Sequence, residues 1–275
     1  KLMNHESLLS ISPLDGRYEN AVSALREITS EYGLIKYRYI IEIKWFIHLS
    51  KNPQIKELPK LDIKDYLYLN DLINNFDIKD AKRVKTIEKK TNHDVKAIEY
   101  FIREKFKKHK KLSKYQEFIH FACTSEDINN LSYALMIKEA KSITKAAINE
   151  TNKKIKQLAN KYKKISMLSR THGQNASPTT MGKEFANFHH RINKISLSVD
   201  RRTMTGKING AVGNYNAHRV AYPEIDWQKI SNQFVRSLKL DFNSHTTQIE
   251  PKDTIALLLG DYVKLNNVFI DMSRD

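Results

Sequence analysis

Five short polar segments of the sequence combine residue types that bind anions or transfer protons. Histidine changes its protonation near neutral pH, and arginine binds phosphate or carboxylate through its planar guanidinium. Hydroxyl and amide groups donate hydrogen bonds to negative charge that develops during a reaction. These types together favour proton transfer on a small anionic substrate. The segments are DGRY (15–18), TNHD (91–94), TSEDINN (124–130), SRTHGQ (169–174) and TTQIEP (246–251).

His172 is the strongest single candidate for proton transfer. Hydrogen-bond donors flank it in a polar stretch that we expect to be a loop leading into a helix, from which it can reach a ligand. A structural loop histidine, bonded to a backbone carbonyl, is the alternative. His120 and Cys123, in the apolar run EFIHFACTS, are interpreted instead as packing residues.

Helix capping is an alternative explanation for two of the segments. Thr91 with Asp94, and Thr124 with Asp127, have the spacing of a capping box, which satisfies free N–H groups at a helix start. Helix N-termini also hold anions, because their N–H groups and dipole favour negative charge. Capping leaves three residues unexplained: Asn92, His93 and Ser125.

Arg17 and Tyr18 have the types that grip a phosphate or carboxylate, with a guanidinium fork and a phenolic donor. An ordinary surface cation is the alternative for Arg17. Gln248 is a weaker candidate, a neutral amide in a loop.

Long helices must position these segments. The chain has eight glycines and six prolines, and neither residue occurs between positions 60 and 172, where strand turns would require them. Apolar residues near the middle of the chain alternate at spacings of four and three, as in helices packed side by side. This seam consists of Met181, Phe185, Phe188, Ile192, Ile195 and Val199. The pattern recurs in 155–165 and 255–269 and predicts an all-α bundle.

The first part of the chain has shorter helical segments, separated by Pro53 and Pro59, and then a charged run at 105–114. We therefore expect a smaller helical N-terminal domain at 1–112 and a central bundle domain at 113–275. The glycine-rich segment TGKINGAVGNYNAH fits neither a phosphate loop nor a dinucleotide fingerprint. It is interpreted as a loop in which the backbone packs closely.

Composition and charge limit the classes of protein to which this chain can belong. The net charge of +16 raises the alternative of a nucleic-acid-binding protein, but lysines alternate with apolar helical positions, as on a solvated helix face. No apolar run approaches the roughly 20 residues that span a bilayer, and no secretory signal is apparent. The single cysteine favours a cytoplasmic location. No metal-ligand motif occurs, and we expect neither a metal nor a cofactor.

The segments, in this order, resemble the bacterial adenylosuccinate lyases of the fumarase/aspartase superfamily. The blocks SPLDGRY, KTIEKKTNHDVKAIEYF, EFIHFACTSEDINNLSYAL, LSRTHGQNASPTTMGKE, GKINGAVGNYNAH and TTQIEP carry the likeness, which runs from about residue 8 to the last residue. The resemblance implies an all-α fold whose central bundle is shared in a homotetramer, with each active site built from three subunits.

The resemblance also implies residue roles. Arg17 and Tyr18 would hold the nucleotide phosphate, Thr124 and Ser125 would bind the succinyl carboxylate region, and His172 would be the general acid. The remaining substrate-binding residues would be Asn92, His93, Asp94 and Gln248.

The implied reaction is a β-elimination that releases fumarate from adenylosuccinate and gives AMP in purine biosynthesis, and that also acts on the succinyl imidazole carboxamide ribotide. A base removes a proton next to a carboxylate, donors stabilise the charge that develops there, and an imidazolium protonates the leaving amine. The alternatives are another fumarate-releasing lyase, such as argininosuccinate lyase, or a basic helical nucleic-acid-binding protein.

One part of the family pattern does not occur. The family base is a serine on a loop that reads roughly Gly-Ser-Ser-x-x-Met-Pro, and this sequence has no Met-Pro pair. We therefore expect an N-terminal portion of a longer enzyme, without the C-terminal domain and inactive alone.

Overall fold

The computed structural model describes residues 12–275, and most of them lie in helices. The helices are α1 (Ser23–Thr29), α2 (Glu31–Leu49), α3 (Ile63–Asn74), α4 (Ile78–Thr91), α5 (Asp94–Phe106), α6 (Ser125–Tyr162), α7 (Met181–Arg201), α8 (Asn216–Ala221), α9 (Trp227–Ser237) and α10 (Asp253–Arg274), with a 3₁₀ helix at Leu112–Phe118. Four short strands accompany them: β1 (Ser166–Thr171), β2 (Gln174–Thr180), β3 (Thr205–Gly206) and β4 (Asp241–Phe242).

The mainly helical fold confirms the predicted class. Helix α6 has 38 residues and lies within the stretch that lacks glycine and proline. At 1.5 Å per residue, it is about 57 Å long. The absence of both helix breakers favours a helix of this length, which is why composition alone could indicate it.

The described residues form two compact units. One contains the described residues through Ala140 together with Met204–Pro251, and the other contains Lys141–Thr203 together with Lys252–Asp275. These units have different limits from the predicted domains, 1–112 and 113–275, because chain from both sides of residue 112 packs in the first unit. The domain division stays a prediction.

Helix α2 forms the centre of the first unit's core. Trp45 and Phe46 are fully buried, and their rings contact Phe234 and Phe106, each with 4.9 Å between centroids. Aromatic rings at these separations contribute beyond the area they bury. The core therefore holds α5 and α9 against α2.

The predicted seam forms the core of the second unit. Phe188 and Ile192 of α7 pack with Ile155 of α6 and with Leu265 and Val268 of α10. Each of the three stretches with the alternating pattern contributes to this cluster. The spacing of apolar residues thus located the helix faces that pack together.

The expected loop around His172 is instead a β-hairpin. Strands β1 and β2 pair antiparallel, and Thr171 lies opposite Gln174 across a two-residue turn. Both turn residues have positive φ, 53° at His172 and 74° at Gly173, as a type I′ turn requires. The hairpin was not predicted from the sequence, because its strands are mostly exposed and lack alternating apolar residues.

Within residues 12–275, we find no helix that combines the length and the apolar character needed to cross a membrane.

Replacing Ile192 with alanine should lower the free energy of unfolding by about 2–5 kcal/mol, because the fully buried side chain leaves a cavity in the core of the second unit. Chemical denaturation of the 275-residue chain measures this. Lys194→Ala, at an exposed position of the same helix, is the control and should change stability by less than about 0.5 kcal/mol. Equal effects of the two substitutions would contradict the assignment of the seam.

Candidate active site

The TNHD segment forms the junction between α4 and α5. Helix α4 ends at Thr91, and Asn92 adopts the left-handed conformation at φ 50°. His93 is then the N-cap of α5, and its Nδ1 accepts the Lys96 N–H at 3.1 Å. The predicted capping box from Thr91 to Asp94 is therefore wrong, because the turn at Asn92 places the cap two residues later.

This cap fixes the hydrogen-bonding character of His93. Since Nδ1 accepts a backbone N–H, the neutral ring carries its proton on Nε2. The side chain is 51% exposed, so this N–H is accessible to a ligand. His93 is thus a hydrogen-bond donor, suited to bind an anion.

The TSEDINN segment begins α6, and its Asp127 accepts several hydrogen bonds. Oδ2 accepts the Thr124 N–H at 2.9 Å, which is the carboxylate half of the predicted capping box. The same oxygen accepts the Gly210 N–H at 3.0 Å, and Oδ1 accepts the Asn209 N–H at 3.0 Å. Asp127 therefore joins the start of α6 to the glycine-rich segment.

Lys207 completes the charge balance of this buried site. Its Nζ lies 2.8 Å from Oδ1 of Asp127, with both side chains fully buried, and donates to the Gly210 carbonyl at 3.1 Å. Removing one partner of such a pair leaves an uncompensated buried charge, at a cost of about 3–5 kcal/mol. The pair thus holds the segment with Thr124 and Ser125 in one position.

The glycine-rich segment in turn positions TTQIEP. At Gly213, with φ 82°, a Cβ atom would lie 2.0 Å from the Thr246 carbonyl oxygen, so only glycine allows this approach. Asn209 Nδ2 donates to the Thr246 hydroxyl at 2.8 Å. Gln248 follows two residues later and is exposed. The expectation of a closely packed loop is confirmed.

Asp94, the first residue of α5, is paired with a residue that the sequence analysis missed. Nη2 of Arg38 donates to Oδ2 of Asp94 at 2.7 Å. Burial alone would raise the pKa of the Asp94 carboxyl, but the Arg38 charge and the Val95 N–H lower it below its usual value. The sequence feature that could have identified Arg38 is a lone arginine inside the apolar run YRYII.

The other predicted residues lie apart from these contacts. Arg17 and Tyr18 are exposed and contact each other, with the guanidinium carbon 5.6 Å from the ring centroid. His172 is exposed at the turn of the hairpin and belongs to the second unit. Contacts in the first unit thus connect TSEDINN to TTQIEP through the glycine-rich segment, and TNHD to α2 through Arg38.

The two residues predicted to pack, His120 and Cys123, are partly buried in the first unit. Burial alone would lower the pKa of His120, but Glu42, whose Oε1 lies 2.6 Å from Nδ1, raises it above its usual value. Burial raises the pKa of the Cys123 thiol, which makes a nucleophilic role unfavourable.

Backbone strain is concentrated at the polar segments. Positive φ is uncommon outside glycine and persists where surrounding structure enforces it, often at functional sites. In the described part of the chain, six non-glycine residues have it: Asn92, His120, Ala122, His172, Tyr215 and Lys239. All except Lys239 lie in, or close to, a polar or glycine-rich segment, which supports assigning the site there.

His218 is a buried histidine next to this site. Its ring packs edge-on against Trp227, with 4.8 Å between centroids, and within residues 12–275 neither ring nitrogen has a hydrogen-bond partner. Burial lowers the pKa of His218 to about 4, although Asp127 opposes this shift. His218 is therefore neutral at physiological pH.

The contacts within the first unit offer hydrogen-bond donors and helix N-termini for an anionic ligand. Over the described range, no group of three or more histidine, cysteine or acidic residues is placed to hold a metal ion.

A comparison with protein families matches residues 16–275 to a family described as Lyase. The chain belongs to this lyase family. The match includes four of the five polar segments in full and residues 16–18 of DGRY.

Curated relatives with the same name occur in several bacteria. Adenylosuccinate lyases of Legionella pneumophila (strain Corby) and Escherichia coli (strain K12) are each 49% identical over 274 residues, and that of Buchnera aphidicola subsp. Schizaphis graminum is 48% identical over 278 residues. Each alignment covers 99% of this chain and 60% of the relative. The chain thus spans about 60% of the length of these relatives.

Solved structures share the fold of this lyase-family chain at low sequence identity. A fumarate lyase from Mesorhizobium sp. BNC1 aligns with a TM-score of 0.74 at 15% identity, covering 91% of this chain and 56% of that structure. The β-carboxy-cis,cis-muconate cycloisomerase of Acinetobacter calcoaceticus sp. ADP1 gives a TM-score of 0.72 at 17% identity, with 92% and 56% covered. These similarities support the fold.

Two substitutions at His93 should separate its capping role from its donor role. His93→Ala should lower the free energy of unfolding by about 1 kcal/mol, because the Lys96 N–H loses its acceptor. His93→Asn keeps a capping oxygen and should retain most of the stability, while it removes the Nε2 donor. Chemical denaturation of both variants tests this, and equal losses would argue against the cap.

Stability should fall in acid through His218. In the unfolded chain a histidine has a pKa of about 6.5, whereas in the folded chain His218 has a pKa of about 4. Between these values the unfolded chain binds a proton that the folded chain does not, so stability decreases as the pH falls, by up to about 3 kcal/mol.

His218→Phe should reduce this acid sensitivity, because phenylalanine fills a similar space and does not bind a proton. Denaturant unfolding at pH 7 and pH 4.5 measures the effect, with His190→Phe, at an exposed position, as the control. An unchanged pH dependence in His218→Phe would exclude this contribution.

Proposed function

We propose that the protein to which this chain belongs is an adenylosuccinate lyase, a carbon-nitrogen lyase that eliminates fumarate from adenylosuccinate to give AMP. The same elimination would act on the succinyl imidazole carboxamide ribotide in purine biosynthesis. We propose a cytoplasmic location for this protein. The observation that carries the proposal is the 49% identity over 99% of the chain to proteins of that name.

The geometry is compatible with the substrate's two anionic ends. Arg17 and Tyr18 are exposed, next to each other, and supply a guanidinium and a phenol for the nucleotide phosphate. Thr124 and Ser125, at the start of α6, would supply hydroxyls next to a helix N-terminus for the succinyl carboxylates. Asn92, His93, Asp94 and Gln248 would complete the substrate-binding set.

His172 would be the general acid. Elimination needs a proton at the leaving nitrogen as the carbon-nitrogen bond breaks, and a histidine can supply it near neutral pH. His172 is exposed at a turn whose backbone is set by the paired strands on either side. The imidazole would be accessible to a ligand, on a backbone that is held by the strand pairing.

Self-association would complete the sites, and we propose a homotetramer with active sites shared between subunits. Large apolar side chains on α7 and α10 are about half exposed, as on helices that pack against a further partner. They are Leu197, Leu257, Leu259, Val263 and Ile270.

The nucleic-acid alternative has less support from the structure. Several lysines form ion pairs with carboxylates on the same surface, such as Lys85 with Glu31 and Lys154 with Glu150. These lysines therefore lie on solvated helix faces and pair with carboxylates, as their alternating pattern indicates.

The decisive experiment follows fumarate formation from adenylosuccinate by ultraviolet absorbance. It uses a protein that carries this chain at the full length of its relatives, and a parallel assay supplies argininosuccinate. Turnover of adenylosuccinate alone is expected. No turnover, or preference for argininosuccinate, would overturn the proposed function.

His172→Asn should lower kcat by roughly 100-fold or more, because asparagine cannot supply the proton. An Asn-Gly pair favours the same type I′ turn, so the hairpin should persist. His190→Asn, at an exposed position of α7, is the matched control and should leave kcat unchanged. A near wild-type kcat in His172→Asn would remove His172 from the acid role.

A further inference from the structure

Arg38 is a charged residue in the buried part of α2. Its side chain is 8% exposed, and its neighbours Tyr37 and Tyr39 are buried as well. A guanidinium is stable in such a place only when it is paired and hydrogen bonded. Its partners therefore indicate why the sequence places an arginine in an apolar run.

The guanidinium joins two different helices. Nη2 donates to Oδ2 of Asp94 at 2.7 Å, at the first residue of α5. Nε donates to Oδ1 of Asn129 at 2.8 Å, in α6. Asn129 is four residues after Ser125 and shares its helix face. One side chain of α2 thus contacts the starts of the two helices that carry the proposed substrate-binding residues.

We propose that Arg38 is a positioning residue for the elimination reaction, which fixes TNHD relative to TSEDINN by holding Asp94 and Asn129 at once. This inference rests on the proposed function. The guanidinium of Arg38 contacts these two residues, so Arg38 would affect substrate binding through them.

The contacts of Asp94 show how tightly it is held. Oδ2 accepts from Arg38, and Oδ1 accepts the Val95 N–H at 2.8 Å. Rotation of the carboxylate would break both hydrogen bonds. The orientation of Asp94 is therefore set by α2 as well as by its own helix.

A lysine at position 38 could not make the same two hydrogen bonds as Arg38. Arginine presents N–H groups in a rigid planar fork, whereas lysine has one compact ammonium on a flexible stem. An ammonium at this site would keep the positive charge but could not reproduce the two directions of Nη2 and Nε. Arg38→Lys thus separates the bridging geometry from the charge.

The first measurement is the kinetics of adenylosuccinate turnover by the full-length protein. Arg38→Lys should raise KM roughly tenfold or more and change kcat less, because misplaced binding groups weaken substrate binding. Arg83→Lys is the matched control, since Arg83 pairs with Glu104 on the exposed surface of the same unit, and should keep both constants. Wild-type kinetics in Arg38→Lys would overturn the inference.

A double-mutant cycle with Asp94→Asn separates positioning from packing. If Arg38 acts through Asp94, Arg38→Lys should change KM less than about threefold in the Asp94→Asn background. A change of the same size in both backgrounds would show a general packing effect and would overturn the inference.

A second readout does not depend on activity. Amide hydrogen exchange at Val95, whose N–H donates to Asp94, should be faster in Arg38→Lys and unchanged in Arg83→Lys. Unchanged exchange in Arg38→Lys would overturn the inference even if the kinetics changed. An inactive wild-type protein would instead reject the proposed function, while the exchange result would still test the role of Arg38.

Discussion

The first unit depends on the buried charge of Asp127. A carboxylate removed from water is stable only when hydrogen-bond donors and an opposite charge surround it. Here the donors are backbone N–H groups at Thr124, Asn209 and Gly210, and the charge is that of Lys207. Because this anion must be satisfied, a helix start is joined to a loop that lies 82 residues further along the chain, and the polar groups beside it are fixed.

Much of the fold could be predicted because helices leave a local signal. The absence of glycine and proline indicated α6, and the alternating seam identified the face of α7 that packs in the second unit. The hairpin at His172 left no such signal, since its strands are exposed and carry no apolar alternation. Its stability comes from backbone pairing and the turn, which composition does not reveal.

The residue types of the candidate site could be predicted from the sequence, whereas their arrangement in space was harder to predict. Histidines, hydroxyls and amides in polar segments were recognisable from the sequence. The sequence could not show that Asp127 pairs with Lys207, because they are far apart in the chain and each has an ordinary alternative role. Arg38 was missed for the same reason, since only the folded chain brings α5 and α6 to it.

The junction at Asn92 and His93 restricts how the chain can change in length. One residue ends α4 and the next caps α5, so no linker separates the two helices. An inserted or deleted residue within α5 would rotate the following residues by about 100° around the helix axis. At the junction itself, it would displace Asp94 from Arg38 or His93 from the Lys96 N–H. A substitution at this junction keeps the following residues in register, whereas a change in the number of residues does not.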